Sequence, residues 1–268
     1  MTTIAQAFDL SDRVGIVTGA GRGLGRAIAS RLAEAGATLD CADVVGDTAE
    51  ETAALIAAAG GSARAHTIDV TDRAAVDAMV ADTTSRDGRL DIMVNNAAII
   101  VDTRVLDTTE ADLDRVMAVN FKGVFFGCQA AGRVMVEQQS GAIINLASGA
   151  IDIPTPGLIC YSAAKVAVAQ LSRTLALELA PHHVRVNAIA PGWIDTPMNE
   201  RHALRPDGTL DLEKKREYVE NRGSKLSPMG IPGEPDDIAF AALYLASPAA
   251  KFVTGIVMRP NGGSTMPW

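Results

Sequence analysis

Short apolar runs alternate with longer stretches of helical period along most of the chain. Residues 14–18 read as a buried strand, and 23–35 as a helix that Gly36 ends. A second strand covers 38–42, and a helix over 47–59 stops at Gly60 and Gly61. Strands at 63–68 and 92–94 flank a helix over 72–86. A long helical region covers 110–138, a strand 142–146, and a helix 159–180 that Pro181 stops. A strand at 184–189, a helix at 235–246 and a last strand at 256–258 complete the pattern. Apolar runs without alternation are the mark of strands buried on both faces.

Strand and helix alternating this regularly predict a parallel sheet covered on both sides. Right-handed crossovers make it a doubly wound, Rossmann-type α/β fold of about seven strands. The whole chain, 1–268, is expected to be one domain, with 1–150 mainly binding a dinucleotide. Ligands on such folds sit beyond the carboxyl ends of the strands, where strand order reverses. The segment 193–226 breaks the alternation and is densely charged, which suits a substrate lid better than core.

Composition narrows the partners. Hydrophobic residues make up 48% of the chain and charged residues 21%, enough for an extensive core. The net charge of −8 argues against nucleic acid or an anionic membrane, both of which attract basic surfaces. No apolar run approaches the ~18 residues of a membrane span, and the first residues lack a signal peptide's basic start and apolar stretch. Three scattered cysteines without a CxxC pair read as reduced thiols, so a cytoplasmic location is expected. The four histidines include one adjacent pair, His182 and His183, which point different ways, so no metal site is expected.

The first strand runs into Thr18, Gly19, Ala20, Gly21, Arg22, Gly23, Leu24 and Gly25. Glycines there let the backbone turn sharply and approach a pyrophosphate. The helix that follows offers free N–H groups and a positive dipole end. Gly25 would let helix and sheet pack closely. Asp43 ends the second strand 18 residues after Gly25. A carboxylate there accepts hydrogen bonds from ribose hydroxyls and repels a 2′-phosphate, which favours NAD over NADP. Arg22 pulls the other way, because a cation inside the loop could pair with that phosphate.

Tyr161 and Lys165 stand four apart at the start of a helix, so phenol and ammonium share a face. A free phenol titrates near ~10; a neighbouring cation lowers that value and makes it a usable acid/base. Ser148 lies at a strand's carboxyl end, 13 residues before Tyr161, where its hydroxyl could hold a substrate oxygen. Asn120 interrupts the 110–138 helix; asparagine disfavours helix interiors and could bend the helix or bind water there.

With these residues in order, and with Asp69-Val70, Asn95-Asn96-Ala97 and Pro191-Gly192 between and after them, the chain resembles the short-chain dehydrogenase/reductase family over nearly its whole length. The resemblance implies a nicotinamide-linked oxidoreductase. Tyr161 gives or takes the hydroxyl proton, Lys165 binds the nicotinamide ribose, Ser148 positions the substrate oxygen, and Asn120 holds a water linking Lys165 to solvent. Gly19 to Gly25 carry the pyrophosphate. Asp69 and Val70 contact the adenine, and Asn96 and Ala97 line the ribose side. Ile189, Pro191, Gly192, Ile194 and Thr196 pack on the nicotinamide and hold its carboxamide. The sequence departs from the family at Ala98, where a glycine is usual; the added methyl narrows the cofactor site without removing a chemical group.

The substrate pocket is expected between 150–158, the lid and the terminal Met266, Pro267 and Trp268. Ala150, Ile151, Ile153, Pro154, Leu158, Trp193 and Met198 would make it largely apolar, fitting a small apolar alcohol or ketone. Seven basic and six acidic residues between Glu200 and Lys225 read as a solvated helix rather than a steering patch. The rival within the family is a 3-oxoacyl-thioester reductase using NADPH. Those that use acyl carrier protein often carry arginines near the ends of the two long helices, where this chain has Gln138, Gln139 and His182. A non-catalytic cofactor-binding scaffold is the rival of another class. The helices at 110–138 and 159–180 are apolar on more than one face, which together with the family's habit predicts a homotetramer.

Overall fold

The computed structural model describes residues 2–205 and 207–267; residues 222–224 are described for their backbone alone. The strands are β1 (Val14–Thr18), β2 (Thr38–Asp43), β3 (Ser62–Thr67), β4 (Ile92–Asn95), β5 (Gly141–Leu146), β6 (Val184–Ile189) and β7 (Val257–Met258). The helices before β5 are α1 (Ile4–Phe8), α2 (Gly23–Glu34), α3 (Gly46–Ala58), α4 (Arg73–Asp87), α5 (Glu110–Met117) and α6 (Val124–Gln138). After β5 come α7 (Ile159–Leu179), α8 (Leu212–Tyr218), α9 (Ser224–Leu226) and α10 (Pro235–Ala246).

All seven strands are parallel and lie in the order β3-β2-β1-β4-β5-β6-β7. The chain builds outward from β1 to β3, then crosses back to place β4 on the other side of β1. That reversal opens a crevice at the carboxyl ends of β1 and β4, where a doubly wound fold takes its ligand. The predicted sheet is therefore the observed one.

Side chains of one strand alternate between the two covering layers. Val17 packs with Ile28 and Leu32 of α2 and Ala239 of α10. Its neighbour Ile16 packs on the other side, with Met79 and Val80 of α4 and Met135 of α6. Each is fully buried, and burial of such a side chain is worth about 1.5–3 kcal/mol.

Three elements differ from the pattern. The five-residue α1 is too short for a periodic signal; a reciprocal cap between Thr3 and Gln6 starts it. The region 110–138 is α5 and α6 joined by a π-helical segment, Ala118–Gly123, that contains Asn120. The segment 193–226 is largely helical, with a 3₁₀ stretch Pro197–Ala203 ahead of α8 and α9. Among the described residues no helix is long and apolar enough to cross a membrane.

The second strand also hides a charge. Asp40 is fully buried on β2. Arg64 Nε reaches it at 2.8 Å, Arg86 Nη2 at 2.6 Å and His66 Nε2 at 3.4 Å. The Thr83 hydroxyl donates to it as well. Burial pushes this carboxyl up, but the donors from His66, Thr83 and Arg64 outweigh it and hold the group below the ordinary carboxylate range.

Candidate active site

The glycine loop leaves β1 and turns into α2. Gly19 takes φ +64, the left-handed region, and a Cβ there would stand 2.8 Å from the Ala97 Cα. A Cβ on Gly25 would strike the Gly19 carbonyl. Gly25 thus lets α2 press on the loop itself, closer than the helix-to-sheet contact expected.

Side chains then lock the loop. Asn96 Nδ2 donates to the carbonyls of Thr18 and Gly19, each at 3.0 Å. Thr18 Oγ1 accepts from the backbone of Asn96 at 3.0 Å and of Ala97 at 3.2 Å. Arg26 Nη2 donates to the Gly21 carbonyl at 2.5 Å while its Nε donates to Thr52 Oγ1 at 3.0 Å. Arg26 was not among the expected site residues; its place directly after Gly25 was the available signal.

Asp43 ends β2 as a fixed acceptor. Its Oδ2 accepts from Gly21 N at 2.9 Å and its Oδ1 from Val45 N at 3.0 Å. Arg22 is exposed and makes no ion pair with the described residues. The next basic residue after Asp43 is Arg64. A cleft of about 530 Å³ lies nearby, lined by Asp69, Thr71, Ile99, Ile100, Arg115, Ala118 and Val119. Val70 is buried against Gly123 of the π-helical segment. A turn with free N–H groups, glycines that a Cβ would fill and an acceptor at the end of β2 together fit a dinucleotide.

At the other side of the crevice, Tyr161 and Lys165 lie on the first turns of α7, both buried. Lys165 Nζ lies 5.6 Å from the centre of the Tyr161 ring. It donates to the Leu146 carbonyl, the last of β5, at 2.7 Å. Burial pulls this ammonium down to about 7. Burial raises the Tyr161 phenol above its usual value, and the Ser148 hydroxyl and the Arg201 charge oppose that rise. Ser148 Oγ also accepts from Ala150 N at 3.1 Å.

Asn120 is fully buried, and its amide both accepts from and donates to one residue. Oδ1 accepts from Ile99 N at 2.8 Å and Nδ2 donates to Ile99 O at 2.9 Å. The side chain therefore ties the helix to the loop after β4. A second polar chain runs beneath: Asn95 Nδ2 donates to Asn145 Oδ1 at 2.9 Å, and Asn145 Nδ2 to Ser172 Oγ at 2.9 Å. Of these three, the motif reading had marked only Asn95.

Beyond β6, Ala190 and Pro191 are buried, and the Gly192 N–H donates to Pro260 O at 3.0 Å. Ile194 bridges to Gly233, and Thr196 lies against the glycine loop, 3.8 Å from where a Gly23 Cβ would be. The expected substrate wall is only partly apolar. Ile151 packs against buried Ala147 and Ala169, and Leu158 bridges to Thr103. Ile153 and Met198 are exposed, at 39% and 37%. Trp193 packs on Tyr218 of α8 with ring centres 6.0 Å apart. The C-terminal end meets the wall through Thr265, whose Oγ1 donates to Asp152 at 3.3 Å; Trp268 lies outside the described residues. A cavity of about 580 Å³ under α1 includes none of these residues. Among the described residues no three His, Cys, Asp or Glu side chains converge to hold a metal.

Comparison with known proteins agrees with this geometry. Residues 19–265 match the family model described as enoyl-(acyl carrier protein) reductase. The chain is 35% identical to a 3-oxoacyl-(acyl-carrier-protein) reductase of Thermotoga maritima, over 95% of this chain and 98% of that protein. It is 40% identical to a galactitol 2-dehydrogenase (L-tagatose-forming) of Cereibacter sphaeroides, over 97% of each. The crystal structure of a short-chain type dehydrogenase/reductase from Mycobacterium marinum superposes with a TM-score of 0.89 at 34% identity, covering 99% of this chain and all of that one.

Proposed function

The chain belongs to the short-chain dehydrogenase/reductase family of oxidoreductases, and from that premise we propose that it interconverts a secondary alcohol and a ketone with NAD(H), using Tyr161 as acid/base. One observation carries this reading: Tyr161 and Lys165 are buried together on one face of α7, with the Ser148 hydroxyl beside the phenol. A bound nicotinamide supplies the hydride acceptor or donor. In the oxidative direction the Tyr161 oxygen takes the substrate's hydroxyl proton as hydride leaves the carbinol carbon; in reduction it returns that proton. Ser148 donates to the substrate oxygen and fixes its distance from the phenol. Lys165 would hold the nicotinamide ribose and, while charged, favour the phenolate. Asn120 keeps the loop after β4 in place.

The test is Tyr161→Phe. It should lower kcat by ~10²-fold or more, the usual scale of acid/base work, while cofactor affinity is retained. Retention of more than about a tenth of the activity would sink the mechanism. It would also favour the scaffold reading, which otherwise has against it that all four catalytic groups are present.

NAD is the proposed cofactor, because Asp43 is a fixed carboxylate with no basic residue following it before Arg64. The Thermotoga relative keeps alive a second reading, a 3-oxoacyl-thioester reductase using NADPH. We further propose a homotetramer in the cytoplasm acting on small alcohols and ketones. Ile159, Val166 and Leu177 of α7 are exposed apolar residues that a second copy would cover, and the three cysteines are free and buried. A mass near 28.0 kDa in light scattering would overturn the tetramer.

A further inference from the structure

Most of the described ion pairs of the lid close within the lid. Lys215 meets Glu200 at 2.8 Å and Asp195 at 3.6 Å, and Arg205 meets Asp211 at 3.4 Å. Arg201 behaves differently. Its Nε donates at 2.7 Å to Asp102, which lies on the loop after β4. Asp102 precedes Thr103, whose N–H donates to the Gly157 carbonyl at 2.9 Å, four residues before Tyr161. The pair therefore spans the mouth of the site, from the lid to the wall that carries the phenol. The guanidinium is near enough for its charge to favour the ionised phenol.

Stability is a weak reason for such a pair. Arg201 is 27% exposed and Asp102 47%, and pairs of that exposure contribute about 0–1 kcal/mol. Its chemistry is more telling. Arg201 Nη1 donates to the Met198 carbonyl, and Nη2 takes no partner among the described residues. A free N–H donor thus stands beside a carboxylate acceptor, and the two charges cancel. A substrate carboxylate would meet the Asp102 charge as closely as the Arg201 charge and lose its hydration for no net attraction. An alkyl chain would desolvate both charges and return no hydrogen bond. A hydroxyl both donates and accepts, so neighbouring hydroxyls satisfy the two groups at once.

We infer that Asp102 and Arg201 form a recognition site for hydroxyl groups distal to the reacting carbinol, so that the substrate class is polyhydroxylated alcohols and their ketoses. This rests on the alcohol/ketone reading and puts a polar substrate where an apolar one was expected.

The experiment measures kcat/KM with NAD and NADP for erythritol, xylitol and sorbitol against butan-2-ol, pentan-2-ol and hexan-2-ol. The wild type should favour the alditol of each matched pair by about tenfold or more, since a site that hydrogen-bonds a hydroxyl discriminates against its absence. Asp102→Asn and Arg201→Met should each bring that ratio toward one, through KM more than kcat. Arg205→Met, which removes the exposed Arg205–Asp211 pair of the lid, should leave the ratio within about threefold. Thermal unfolding of each variant separates loss of recognition from loss of fold. A wild type that prefers monoalcohols, or a ratio unmoved by both variants, overturns this inference and leaves the alcohol/ketone reading standing. Silence toward every alcohol with either cofactor sinks the parent reading and this one with it.

Discussion

The glycine-loop half and the lid half of this molecule are held by different forces. Around the loop, half-buried side chains clamp backbone groups: Asn96 on the Thr18 and Gly19 carbonyls, Arg26 on Gly21 and Asp43 on the Gly21 N–H. On β2, the fully buried Asp40 carboxylate gathers the partly exposed Arg64, Arg86 and His66. The lid is held by partly exposed pairs such as Lys215–Glu200 and by the stacking of His202 on Tyr218. A cofactor shared across a family needs one fixed cradle, so rigidity there has a return. The segment 193–226, expected to act as a lid, is held by contacts that water can replace.

The largest expected effect breaks the rigid half. Asp40→Ala should destabilise the fold by about 3 kcal/mol in urea unfolding, because it removes a fully buried acceptor from Arg64, Arg86 and Thr83. A loss below ~1 kcal/mol would mean the cluster is solvated and the contrast with the lid is overstated. The same carboxyl gives a pH signature. Its folded value lies below the unfolded one, so its contribution is full above pH ~4 and is lost as pH falls further. The Asp40 variant should lack that acid-dependent part.

Next comes Lys165. Burial sets its ammonium to about 7, below the unfolded value of 10.5, so the charged form opposes folding. The penalty is full below pH 7 and fades as pH rises toward 10.5. Relative to Lys165→Met, the cofactor-free enzyme should gain stability over that window, on the order of a few kcal/mol. A flat difference between the two would show that the Leu146 carbonyl already compensates the charge.

Cofactor choice is a smaller effect. Asp43→Asn should raise the NADP-to-NAD ratio of kcat/KM by about tenfold, or about 1.4 kcal/mol, by removing the charge that faces a 2′-phosphate. A wild type that already prefers NADPH would favour the thioester-reductase reading. The smallest effect belongs to the lid. Lys215→Met should change global stability by less than about 1 kcal/mol; a larger loss would erase the distinction between the halves.

Sequence by itself determined the sheet and the linear motifs. Strands buried on both faces read as apolar runs, and Tyr161 and Lys165 read as one helix face, because those signals are local and periodic. Side-chain partners were less legible. Asn96 was expected at the ribose, and its bracing of the Thr18 and Gly19 carbonyls was not foreseen. Asn120 was expected to bend its helix or hold a water; the helix does widen there, and its bonds to Ile99 were not foreseen. Only the tertiary structure decided that Asp102 meets Arg201 across 99 residues, or that Arg64, Arg86 and His66 surround Asp40. Local periodicity fixes which face a residue takes on its own element. Which distant group it meets depends on how strands are ordered and loops return, and no short-range pattern encodes that.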